Sequence, residues 1–154
     1  MSEHIKKAEQ HFDMVGGNNG LAHTQNPARL WDNNFCYRSE QEIMFAQALN
    51  RRRNITGEKF GVIPLAVISF PGGKRRELDF IILDKGLYQA VEIDGESHNE
   101  ETILVRNEKE KFCNANRVDI LRYTSYCTSD ADWADECVKD LFEHIEFRRR
   151  GPEV

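Results

Sequence analysis

The chain has 154 residues, a formal net charge of −5, 40% hydrophobic residues and 31% charged residues. Those values suit one globular domain with a core of its own and exclude a disordered chain. The longest apolar stretch, residues 62–70, is interrupted by Pro64 and Ser69 and is far short of the ~20 residues that span a bilayer. The first ten residues are polar and mixed in charge with no apolar run behind them. Neither a secretory signal nor a membrane partner is expected, and the expected location is the cytoplasm.

The four cysteines, Cys36, Cys113, Cys127 and Cys137, form no CxxC pair and have no histidine at ligand spacing. They read as reduced thiols, neither zinc ligands nor a disulfide framework. Nine of the 21 basic residues fall in three triplets: Arg51-Arg52-Arg53, Lys74-Arg75-Arg76 and Arg148-Arg149-Arg150. A triplet is ordinarily a solvated face or helix end, but local clusters can contact phosphates even in an acidic chain.

In chain order, residues 1–38 read as an N-terminal arm: a short helix over 2–14, then an Asn- and Gly-rich loop to Asn34. Ser39-x-x-Glu42 is a capping box that opens a helix, with Ile43, Phe45, Ala46 and Leu49 as its apolar stripe and an end near 53–57. Residues 62–70 are β-branched and predict a strand, with Pro64 at an edge or at its start. Pro71-Gly72-Gly73 is a turn, 77–83 a second strand, Asp84-Lys85-Gly86 a hairpin turn and 87–93 a third strand. A long helix over 99–116, a strand over 117–123 and an amphipathic helix over 130–147 follow. Trp133, Val138, Leu141, Phe142 and Ile145 are that helix's core face. The fold class is α/β: an αβββαβ core in which three antiparallel strands and a parallel fourth make a mixed central sheet flanked by helices. The domain is expected over 39–148, with 149–154 as a tail.

The chemistry lies between Glu77 and His98. Asp79 sits among Leu78, Phe80, Ile81 and Ile82, where a charge is costly unless it is paired or binds a metal. Glu92 and Asp94, two apart near the end of the next strand, point to one face. The hairpin brings that strand beside Asp79, so the three carboxylates can converge if the register allows. Such a set calls for a cation, and all-oxygen ligands suit Mg²⁺ or Mn²⁺. A hard cation of this kind activates water and neutralises phosphate charge.

This pattern resembles the PD-(D/E)XK nuclease superfamily, which is restriction-endonuclease-like, and within it the branch similar to the very-short-patch-repair endonuclease. The resemblance rests on Glu42 in Ser39-x-x-Glu42-x-x-Phe45, on Leu78-Asp79-Phe80, and on Val91-Glu92-Ile93-Asp94-Gly95-x-x-His98. Arg106 and Lys109 on the next helix and Ile120-Leu121-Arg122-Tyr123 as the following strand complete it. It implies a metal-dependent endonuclease acting on DNA, with RNA as the alternative substrate. By resemblance Asp79 and Glu92 are metal ligands, with Asp94 beside them, Glu42 completes the site, and His98 is general base or phosphate contact. Arg75, Arg76, Arg106, Lys109 and Arg122 are the phosphate-contact candidates. Asp94 occupies the position of the family's motif lysine, so His98, Arg106 or Lys109 would have to supply the missing charge or base. That departure opens a rival expectation: a catalytically silent nuclease-like fold that binds nucleic acid or protein. Either could work as a homodimer or as a subunit of a repair, restriction or defence complex.

Overall fold

The computed structural model describes residues 28, 30–69, 72–73, 75–95, 100–126 and 128–151. These form β1 (Leu30–Asp32), β2 (Phe35–Tyr37), α1 (Glu40–Thr56), β3 (Gly61–Ser69), β4 (Arg75–Asp84), β5 (Leu87–Asp94), α2 (Glu100–Ala115), β6 (Asp119–Thr124) and α3 (Ala131–Arg150). The four long strands make one mixed sheet in the order β3-β4-β5-β6. β4 pairs antiparallel with β3 and with β5, and β6 runs parallel to β5. The α/β class and the mixed sheet agree with the sequence reading. The expected helix over 2–14, the Cys127 thiol and His98 lie outside the described residues.

Local chemistry explains the boundaries. Ser39 Oγ accepts the Glu42 backbone N–H at 3.2 Å, and Gly57, at φ 69°, closes α1 by donating to the Arg53 carbonyl. The other half of the expected capping box does not form. The Glu42 carboxylate accepts the N–H of Arg38, at 2.9 Å, one residue before the cap. Lys85 and Gly86 both have positive φ, as a two-residue hairpin turn of matching twist requires. Asp130 caps α3 by accepting the Trp133 N–H at 3.0 Å.

Two boundaries differ from expectation. Residues 30–37, placed in the arm, fold as a hairpin in which Leu30 faces Tyr37 across Asn33 and Asn34, both at positive φ. Asn tolerates that conformation better than other side chains. Ala28, Cys36 and Leu65 bury one another beneath it. The last helix, expected to end at 147, runs on to Arg150 as α3. Its last turn is the third basic triplet, where cations offset the negative end of the helix dipole.

The sheet has two unlike faces. α1 and α3 cover one, where Phe45 stacks on Phe80 with ring centroids 5.0 Å apart and both side chains fully buried. α2 covers the other, packing its Cys113 against Leu78 and Ala90. Residues two apart on a regular strand share a face, yet Leu78 packs under α2 while Phe80 and Ile82 pack under α1 and α3. β4 therefore changes face at Asp79. Across from it, Leu65 of β3 sits at φ 47°, and the ladder steps from Pro64↔Phe80 to Ala66↔Leu78. This paired irregularity sets the geometry of the site.

Candidate functional site: a buried carboxylate cluster

The β4–β5 ladder runs from Asp84↔Leu87 to Phe80↔Val91 and then stops. The next residues across are Asp79 and Glu92. Here the strands no longer bond backbone to backbone. Asp79 Oδ2 instead accepts the Ile93 N–H at 2.6 Å, standing in for a strand carbonyl. The Asp79 and Glu92 carboxyls share a hydrogen bond. Glu42, reaching in from the first turn of α1, is the third acid. It is 6% exposed, and the Asp79 charge acts on it directly.

The electrostatics follow from burial and like charge. Desolvation pushes the Asp79 carboxyl above its ordinary value, against the pull of Lys109 and the Ile93 N–H. Glu92 is pushed well above the ordinary range, first by burial and then by Asp79, with Lys109 opposing. Glu42 is pushed up to about 8 by burial and by Asp79, against the Arg38 N–H. Asp79 and Glu92 therefore titrate as a pair and not as two independent acids.

The cationic surround is specific. Lys109 of α2 places Nζ 3.1 Å from Glu92 Oε1. Arg122 of β6, which lies beside Glu92 in the parallel register, reaches past it to Asp94 at 3.2 Å and to Glu110 at 3.1 Å. Arg106 approaches Asp94 at 3.7 Å, and its Nε is buried without a partner among the described residues. Arg76 is drawn to Glu108 at 2.8 Å, and Arg75 lies exposed at the start of β4. The structure thus brings Asp79, Glu92 and Glu42 together with Lys109, and gives Asp94 to two arginines.

The sequence reading missed Arg38 and Glu77. They form an ion pair, Arg38 also feeds its N–H to Glu42, and the Glu77 charge acts on Asp79 and on Glu42. Glu77 carried a usable signal, being two residues before Asp79 in one strand. Arg38 carried none. The triplets at 51–53 and 148–150 turn out to be fold contacts. Arg51 pairs with Asp135, Arg52 with Glu58, and Arg53 with the Phe60 carbonyl. Arg148 holds Gln89, while Arg149 and Arg150 hold Glu146.

The donor set fits a hard divalent cation in its chemistry: carboxylate oxygens only, buried and mutually repelling. Among the described residues no three His, Cys, Asp or Glu side chains are arranged as a ready metal cage. Mg²⁺ does not require one, since it is usually bound through one or two carboxylates with waters and substrate phosphates. Asp79 and Glu92 can supply that pair. Compared with known family models, curated proteins and solved structures, the chain matches none. No helix among the described residues is long and apolar enough to cross a membrane.

Proposed function

We propose that the chain is a metal-dependent nucleic-acid phosphodiesterase, a restriction-endonuclease-like DNA endonuclease of the PD-(D/E)XK kind, acting in the cytoplasm. One observation carries the reading: Asp79 and Glu92 face each other where the β4–β5 ladder opens, and burial pushes both carboxyls above their ordinary values, against ionisation. A fold gains no stability from such a pair, because burying carboxyls against one another is unfavourable. Carboxyls perturbed by desolvation together with a specific charge partner are the kind of group that functional sites use.

Asp79 and Glu92 would hold Mg²⁺ or Mn²⁺, with Glu42 behind them. When bound, the cation would supply an activated water and offset the charge that develops on the phosphate. Lys109 takes the part left open by Asp94: its ammonium lies against Glu92, favours the ionised form, and adds positive charge beside the reacting phosphate. Arg106 and Arg122 line the same edge, where they fix Asp94 and can meet a phosphate oxygen. His98, four residues beyond Asp94, is the proposed general base, with an imidazole suited to neutral pH.

A second reading has support of its own. Asp94 stands at the motif-lysine position and is already neutralised by Arg122 and Arg106. A site so satisfied suits a silent nuclease-like domain that binds nucleic acid or a protein, as a homodimer or as part of a larger assembly. Cleavage of single- and double-stranded DNA and of RNA, with Mg²⁺, Mn²⁺ or EDTA, separates the two. Metal-dependent cutting that is lost in Asp79→Asn and in Glu92→Gln supports the enzyme. No cutting of any substrate, or cutting that survives both substitutions, leaves the binding domain.

A further inference from the structure

We propose that a groove at the far end of the sheet binds the phosphate backbone of a single-stranded nucleic acid. The groove, of about 1010 Å³, lies between the C-terminal ends of α1 and α3 and the β4–β5 turn. It contains Asp84, five residues along β4 from Asp79 and so roughly 17 Å from the carboxylate cluster.

Its charges sort into two groups. The arginines are consumed by acids of the groove: Arg52 by Glu58, Arg149 by Asp84 and Glu146, and Arg150 by Glu146. The lysines are not. Lys59, Lys85 and Lys139 line the groove, are exposed, and have no ion pair among the described residues. Glu143 is the one lining acid without an arginine partner among those residues. The surface left over is therefore net positive, in a chain that is net negative overall. Arg149 Nε adds a buried donor with no partner among the described residues.

The apolar content favours bases over a simple anion. Phe147 lines the groove with 68% of its surface exposed, a large aromatic face left in water. Phe142 floors it and is capped by the Arg52 guanidinium 4.2 Å from the ring centroid. Lysines for phosphates and an open ring for stacking are the two components of sequence-tolerant single-strand binding. An acidic peptide would use the lysines and leave Phe147 idle.

The test is fluorescence anisotropy of a dye-labelled oligo-dT with the full chain in EDTA, over a range of salt. The variant Lys59→Glu/Lys85→Glu/Lys139→Glu should lose affinity at least about tenfold and lower the salt slope by about 2, since each phosphate contact on a single strand contributes about 0.7. Phe147→Ala should weaken binding about fivefold or more with little change in slope. The proposal fails if the triple variant, with its melting temperature unchanged, binds equally well. It also fails if poly-glutamate displaces the oligonucleotide as readily as unlabelled oligo-dT does. Because the readout is binding without metal, a null result in the cleavage assay would remove the nuclease reading and leave the groove standing.

Discussion

β4 carries two inward aspartates five residues apart, and they have opposite surroundings. Asp84 is buried at the hairpin end and meets Arg149 in a direct ion pair. Asp79, at the open end, meets a peptide N–H and two further acids. Residue type and strand are the same, so the difference lies in what the neighbouring elements deliver. α3 delivers an arginine to one end. α1 and β5 deliver carboxyls to the other. An aspartate given a cation is a fastening, whereas one given more acid carries a charge that the fold leaves poorly compensated.

The largest effect that would sharpen this contrast is on activity. Asp79→Asn should lower metal-dependent cleavage by roughly 10³-fold, because several kcal/mol of metal-supplied stabilisation go with the ligand. Asp84→Asn should leave the cleavage rate within a few-fold of wild type. Equal losses in the two variants would break the comparison.

Stability should move in opposite directions. Asp84→Asn should destabilise by about 1–3 kcal/mol in urea unfolding, the cost of a partly buried cation left short of a partner. In EDTA at pH 7–8, Asp79→Asn should stabilise by about 1 kcal/mol, the scale of one pKa unit relieved. A Glu42→Gln variant tests the same strain through pH. Its carboxyl is raised from 4.5 to about 8 on folding. The stability it contributes is fully present below pH 4.5 and is lost as pH rises through 8. Thermal melts in EDTA should therefore fall across that window for the wild type and fall less steeply in Glu42→Gln, where Asp79 and Glu92 remain.

The smallest expected effect comes from Asp119, away from the site. Burial raises its carboxyl, but hydrogen bonds from Gln89 and His144 overcome this and hold it below the ordinary value. Its stabilisation is present above pH 3.8 and is lost as pH falls further. The His144 contact is open to solvent, so His144→Ala should change only the acid limb of a pH–stability curve, and only slightly.

Much of this was legible in the residues, and the illegible parts have physical reasons. Ser39, Gly57, Lys85-Gly86 and Asp130 act on the backbone within four positions, so caps and turns could be read locally. Asn33-Asn34 acts the same way and marked a hairpin that the loop-rich composition obscured. The face change at Asp79 could not be read, since it depends on Leu65 across the sheet. Glu42 read both as a cap partner and, by resemblance, as a site acid, and the fold sets its carboxyl against the Arg38 N–H and within reach of the Asp79 charge. The triplets at 51–53 and 148–150 looked like free charge until folding gave each arginine a partner.

Alternation, capping and turn chemistry therefore determined the helices, the four long strands and the mixed α/β sheet, because each rests on short-range sterics and on burying one face. Which acids stand together, which cations reach them, and which end of β4 carries the electrostatic load were decided only by tertiary structure. Those choices depend on distances between elements far apart in the chain, and Coulomb energy in a buried site changes steeply over a few ångströms.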